Sequence, residues 1–240
     1  DRGIRYMTLT HAADNQICDS SYDSRNTWNG LSDFGREVVR EMNKIGMMID
    51  VSHCTDKTFY DILKITNKPL VATHSSPRKF TPNFERNMSD NMIKDLANNN
   101  GLIMLNFGSG FISEQSNKSF GDINSKVEKY KIENNLEDSD KKLLKYKDDL
   151  INTVKPFASI NDFVDTIDHV KELVGIDHIG LGSDFEGLGN TLPYDLKDAS
   201  TYPNILYKLL EREYSQIEIK KICSDNLFRV WNANLQNRQI

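Results

Sequence analysis

Two histidines each close a short apolar run: His53 ends Met47-Met48-Ile49-Asp50-Val51-Ser52-His53, and His74 ends Leu70-Val71-Ala72-Thr73-His74. A run of buried strand residues ending in a coordinating side chain is how a parallel barrel presents chemistry at the carboxyl rim of its strands. Three further runs share the layout: Tyr6 to His11, Leu102 to Phe107, and His178 to Asp184. Neutral imidazole is the commonest protein ligand for zinc, and catalytic zinc sites join a few His or carboxylate groups to an open position for water. Three histidines and one aspartate meeting on one rim fit a metal-dependent hydrolase. Taken singly, a histidine at a strand end is more often a hydrogen-bonded structural group than a ligand, so recurrence over five runs carries the metal reading.

The segments between these runs have helical period. Ser32 caps a helix expected to bury Phe34, Val38, Val39, Met42 and Ile45, stopped by Gly46. Thr55 or Asp56 starts a second, with Phe59, Ile62, Leu63 and Ile65 inward, and Ser89 a third, through Met92, Ile93, Leu96 and Ala97. The stretch 114–156 breaks the rhythm. It is dense in Lys, Asp, Glu and Asn, with apolar residues at helical spacing, and reads as two charged surface helices inserted into the domain. Ser159 caps the next helix, and 200–212 and 215–231 close the chain as helices, with Phe228 and Trp231 as core anchors.

Repeated βα units predict an α/β fold, a (β/α)8 TIM-type barrel in one domain spanning residues 1–240. Such a barrel needs eight strands and the chain supplies about five, so the first is expected to be the fourth strand and Asp184 to end the eighth. The chain starts at Asp1, with no initiator methionine, a few residues before a strand expected to be buried on both faces. It therefore reads as the carboxyl-terminal portion of a longer protein.

A formal net charge of −5 offers no basic footprint for nucleic acid. Cys18, Cys54 and Cys223 are widely spaced and suggest neither a disulfide framework nor a cysteine-rich zinc site. No apolar stretch approaches the roughly 18 residues of a membrane span.

Six blocks together resemble the renal (membrane) dipeptidase family of the amidohydrolase superfamily, especially its bacterial members. They are Gly3-Ile4-Arg5-Tyr6-Met7-Thr8-Leu9-Thr10-His11, Asn29-Gly30-Leu31-Ser32-Asp33-Phe34-Gly35, Ile49-Asp50-Val51-Ser52-His53, Thr73-His74-Ser75-Ser76, Glu85-Arg86-Asn87-Met88-Ser89-Asp90 and Gly182-Ser183-Asp184-Phe185-Glu186-Gly187. The resemblance implies a two-zinc barrel that hydrolyses dipeptides, with His53 and His74 binding one zinc ion. It further implies that His11 and Arg86 hold the substrate, Arg86 pairing with the dipeptide carboxylate, a task suited to a guanidinium fork. Asp184 matches the catalytic aspartate, near the substrate's free amine. Phe111 falls where the family often has a tyrosine, which removes a hydroxyl from the pocket wall. Some relatives dimerise, which leaves a homodimer open.

One departure matters. The family's His-x-Asp pair and bridging glutamate are not in this sequence, since His11 is followed by Ala12 and Ala13. Two imidazoles alone make a weak zinc site. The chain alone is therefore expected to be inactive, and an open barrel to expose apolar core and aggregate. The alternatives are another amide hydrolase of the same superfamily and a non-catalytic truncated binding protein.

Overall fold

Strand and helix alternate along the chain in the computed structural model, which describes residues 3–236. The order is β1 (Tyr6–Thr8), α1 (Asp33–Ile45), β2 (Met48–Asp50), α2 (Asp56–Ile65), β3 (Val71–Ser75), α3 (Asp90–Asn98), β4 (Leu102–Asn106), α4 (Ser109–Ile112), α5 (Glu114–Asn134), α6 (Lys141–Val154), α7 (Ile160–Val174), β5 (Ile179–Gly182), α8 (Tyr202–Glu211), α9 (Gln216–Lys220) and α10 (Asn226–Leu235). The strands form one parallel sheet in the order β1-β2-β3-β4-β5. Parallel neighbours need crossover connections, and helices supply all four. This is an α/β fold.

Local chemistry sets the helix starts. Ser32, Thr55, Ser89 and Ser159 each accept a hydrogen bond from the amide three residues on, satisfying a donor that the first helical turn leaves orphaned. Gly46 ends α1 in the left-handed region at φ 77°. The main core lies between the helices and one face of the sheet, built around Phe59, Ile62, Leu96, Ile103, Phe107 and Phe163.

The other face carries a smaller apolar cluster, in which Met48, Val71 and Leu102 meet Val230 of α10, with Met104, Leu227 and Trp231 against it. Hydrogen bonds lay α10 across the amino ends of the strands. Arg229 Nη1 donates to Asn100 O at 2.7 Å, its Nη2 to Asp177 O at 2.8 Å, and Asn234 Nδ2 to Pro69 O at 3.0 Å. This helix is a floor. Above it a cavity of about 530 Å³ runs up to His74 and Asp184 at the opposite, carboxyl end of the sheet.

Several sequence expectations change. The first strand is an edge of the sheet, with Tyr6 48% exposed, and is not buried on both faces. In α1, Phe34 and Ile45 face solvent, while Gly35, Val39, Met42 and Asn43 are buried. The reason is Gly35: a Cβ there would lie 2.2 Å from Ile17 O, so the helix packs backbone-close on that side and turns Phe34 outward. Residues 215–231 do not form one helix, because a π-helical stretch, Lys221–Asp225, separates α9 from α10. Phe228 is half-exposed and is no core anchor; its ring stacks on Trp231.

Candidate functional site

The functional candidates sit where the chain leaves the strands. β2 ends at Asp50, and His53 follows with φ 70°, a left-handed backbone uncommon for a residue other than glycine. Asp184, two residues beyond β5, has φ 56°. Strain of this kind persists only where the surroundings over-determine it, and it clusters at functional sites. Leaving the strand this way swings both side chains over the carboxyl rim. His74 lies within β3, and His11 lies in the loop after β1.

His53 Nε2 and His74 Nε2 are 2.9 Å apart. The His11 ring is stacked obliquely on His53 with centroids 4.3 Å apart. Burial, then the positive charge of Arg86, pushes the His74 imidazole below its usual value. Burial, followed by Arg86, His74 and His11, pushes His53 down to about 2. Both rings are therefore uncharged at neutral pH, the state in which imidazole binds a metal. The two nitrogens face each other at hydrogen-bond distance, near enough for both to reach one ion after a small parting of the rings. The pair fits a metal as two ligands. Among the described residues no group of three or more His, Cys, Asp or Glu side chains is placed to hold one.

Arg86 lies beside this pair, buried at 3% exposure. Its Nη1 donates to Ser75 Oγ at 2.8 Å and its Nη2 to His74 O at 2.7 Å, while Nε has no partner among the described residues. No carboxylate of the described residues pairs with it, and burial lowers its pKa. A buried, unpaired cation is costly unless an anion arrives. Phe111 of α4 lies under the guanidinium at 5.4 Å, and Phe84 packs edge-on against Phe111 at 5.4 Å. Tyr22 closes the ring between Phe84 and His53, at 6.2 Å and 5.7 Å.

Asp184 is held from two sides. Asn106 Nδ2 donates to its Oδ2 at 2.9 Å, and Asn106 Oδ1 accepts from Gly108 N at 2.7 Å, which fixes the orientation of that amide. Gly187 packs so closely that a Cβ would lie 2.3 Å from Asp184 Oδ1.

The structure thus gathers His11, His53, His74, Arg86 and Phe111 into one contiguous set and places Asp184 on the same cavity as His74. Sequence reading passed over Asp50, Thr73, Asn106 and Tyr22. For Asp50 a signal existed, since a carboxylate inside a buried apolar run must be satisfied by partners.

The sequence model of the membrane dipeptidase family, peptidase family M19, matches residues 1–239. The chain belongs to the membrane dipeptidase family. An uncharacterized dipeptidase of Schizosaccharomyces pombe is 34% identical over 97% of this chain and 47% of its own length. Dipeptidase tcpJ of Claviceps purpurea is 34% identical over 95% of this chain and 44% of its own. The chain thus spans about half the length of these membrane dipeptidase relatives. Among solved structures, the probable dipeptidase PvdM of Pseudomonas aeruginosa superposes with a TM-score of 0.80 at 25% identity, covering 98% of this chain and 64% of that one. A metallopeptidase of Rhodobacter sphaeroides, solved with a phosphinate mimic of L-Ala-D-Ala, shares the fold at 21% identity, TM-score 0.73, over 96% of this chain and 56% of its own.

Proposed function

We propose that this chain is the part of a zinc-dependent dipeptidase that contributes one pair of metal ligands, the carboxylate-binding arginine and the proton-handling aspartate. One constellation carries the reading: two uncharged imidazoles meet at 2.9 Å beside a buried guanidinium that has no anionic partner among the described residues. We read the parallel sheet as five consecutive strands of a (β/α)8 barrel, β1 as the fourth and β5 as the eighth. It forms a single domain over residues 1–240, with α5 and α6 as its insertion.

His53 and His74 would hold one ion. Bound zinc supplies an acidified water and a Lewis acid for the amide carbonyl. The remaining steps belong to side chains. Arg86 anchors the substrate carboxylate through the N–H groups left free by Ser75 and His74. Phe111 and Phe84 wall that end of the site. His11, exposed beside His53, donates toward the scissile carbonyl oxygen. Asp184, its carboxylate oriented by Asn106, accepts a proton and delivers it to the leaving amine. Holding both charged ends of a short substrate explains exopeptidase specificity without a long cleft.

Two imidazoles do not make a two-metal site, so we expect this chain by itself to be inactive, the other ligands coming from residues outside it. The test is hydrolysis of L,L- and L,D-dipeptides by the full-length protein with and without zinc, alongside His53→Ala and Asp184→Asn. Activity that requires zinc and both residues supports the reading. A full-length, zinc-loaded protein inert on every dipeptide overturns the substrate class, and activity that survives His53→Ala overturns the metal assignment.

A further inference from the structure

Asp50 is fully buried, and four donors converge on its carboxylate. Oδ1 accepts from Ser52 N at 3.0 Å and Thr73 N at 2.9 Å; Oδ2 accepts from the hydroxyls of Thr8 and Thr73, each at 2.6 Å. The Thr73 hydroxyl also lies 2.8 Å from His74 Nδ1. A hydroxyl has one proton to give. Thr73 spends its proton on Asp50, so its oxygen meets His74 as an acceptor and Nδ1 must carry the hydrogen. That leaves the lone pair on Nε2, the atom aimed at His53 Nε2. The His74 backbone is fixed by the same cluster, since its amide donates to Ser52 Oγ at 3.1 Å.

We propose that Asp50 is a positioning residue that, acting through the Thr73 hydroxyl, locks His74 in the Nδ1–H tautomer and so keeps Nε2 free as a ligand atom. The ligand part of this statement rests on the metal reading above; the tautomer part does not. Outer partners of this kind set ligand orientation and basicity, and losing one costs on the order of 10- to 100-fold in metal affinity. Asp50 also ties β1, β2 and β3 together, and a purely structural role would leave the His74 ring indifferent to the Thr73 hydroxyl.

The experiment is long-range ¹H–¹⁵N spectroscopy of the ¹⁵N-histidine-labelled, metal-free full-length protein at neutral pH, with His74 assigned by His74→Gln. The wild type and Thr73→Ser should show the proton on Nδ1. Thr73→Val, of the same shape without the hydroxyl, should lose that preference. Asp50→Asn should reverse it. With the asparagine oxygen facing the two amides, its NH₂ donates to Thr73, whose hydroxyl proton then turns toward His74 Nδ1. Zinc titration followed at His74 should weaken by at least about tenfold in Thr73→Val and recover in Thr73→Ser. A wild-type His74 protonated on Nε2, or a tautomer unchanged in both Thr73→Val and Asp50→Asn, overturns the proposal. A His74 ring that never responds to zinc overturns the metal reading instead, while the tautomers still decide the relay.

Discussion

Capping the substrate's carboxylate as an amide should cripple turnover, and Arg86 should be the reason. The guanidinium has five N–H donors. Two are used inside the protein, by Ser75 Oγ and His74 O, which leaves three, among them the buried and unpartnered Nε–H. A carboxylate can take two of these as a charge-assisted fork, whereas a primary amide presents one neutral oxygen and a repelling NH₂. Removing one member of a buried, hydrogen-bonded charge pair costs about 2–5 kcal/mol. At about 1.36 kcal/mol per factor of ten, kcat/KM for a dipeptide amide should fall on the order of 30- to 5,000-fold below that of the free acid. In Arg86→Met the free acid should lose a comparable factor, and the ratio of acid to amide should collapse toward one. The assay is kcat/KM for both substrates in wild-type and variant full-length protein, with melting temperatures to confirm folding. Equal turnover of acid and amide by the wild type would refute the role of Arg86. So would a ratio that survives Arg86→Met.

Asn106→Ala removes a hydrogen bond to the Asp184 carboxyl group, worth about 1.5–3 kcal/mol, so kcat should drop on the order of 10- to 150-fold with KM little changed; a change confined to KM would place Asn106 in binding instead. Gly187→Ala would set a methyl on the Asp184 carboxylate, and kcat should collapse while near-ultraviolet circular dichroism stays native; full activity would show that this approach is unimportant. The folded-state pKa of His53 is depressed from its usual 6.5 to about 2, so its stabilising contribution is complete above about pH 6.5 and is lost as pH falls below it. Between about pH 6.5 and the lower folded value this one group adds a slope of about 1.4 kcal/mol per pH unit, and His53→Gln should remove that share in denaturant titrations of the metal-free protein. Arg229→Ala should lower stability by about 1–3 kcal/mol and leave the His53–His74 pair untouched, since Arg229 binds only carbonyls at the amino ends of the strands.

Much of the architecture is legible in the sequence because it is written in short-range code. Ser32, Thr55, Ser89 and Ser159 announce helix starts by a hydrogen bond three residues long, and β-branched runs announce buried parallel strands. Legibility fails where the deciding partner is distant in sequence. Nothing around Phe34 says that Gly35 must touch Ile17 O, the contact that turns the Phe34 ring to solvent. Nothing around Phe228 says that α10 runs beneath the sheet and buries Val230 instead.

The site divides along the same line. His53 and His74 stand out as coordinating side chains at the ends of apolar runs, and that much is one-dimensional. What makes them usable is not. The two nitrogens meet only because β2 and β3 are neighbours and His53 leaves its strand with a left-handed backbone. Their neutrality depends on burial beside Arg86, a dozen residues further on, and the orientation of His74 depends on a carboxylate in another strand. Asp50 is the instructive residue. In sequence it is a charge in the wrong place, inside Met48-Ile49-Asp50-Val51. In the fold it has no cation within hydrogen-bonding reach among the described residues, and four donors satisfy it, two of them hydroxyls on flanking strands. Such an arrangement is expensive to assemble for stability alone, since a well-packed apolar residue would serve three strands as well. Its placement next to a candidate ligand is therefore better explained by what it does to the His74 ring than by what it does for the sheet.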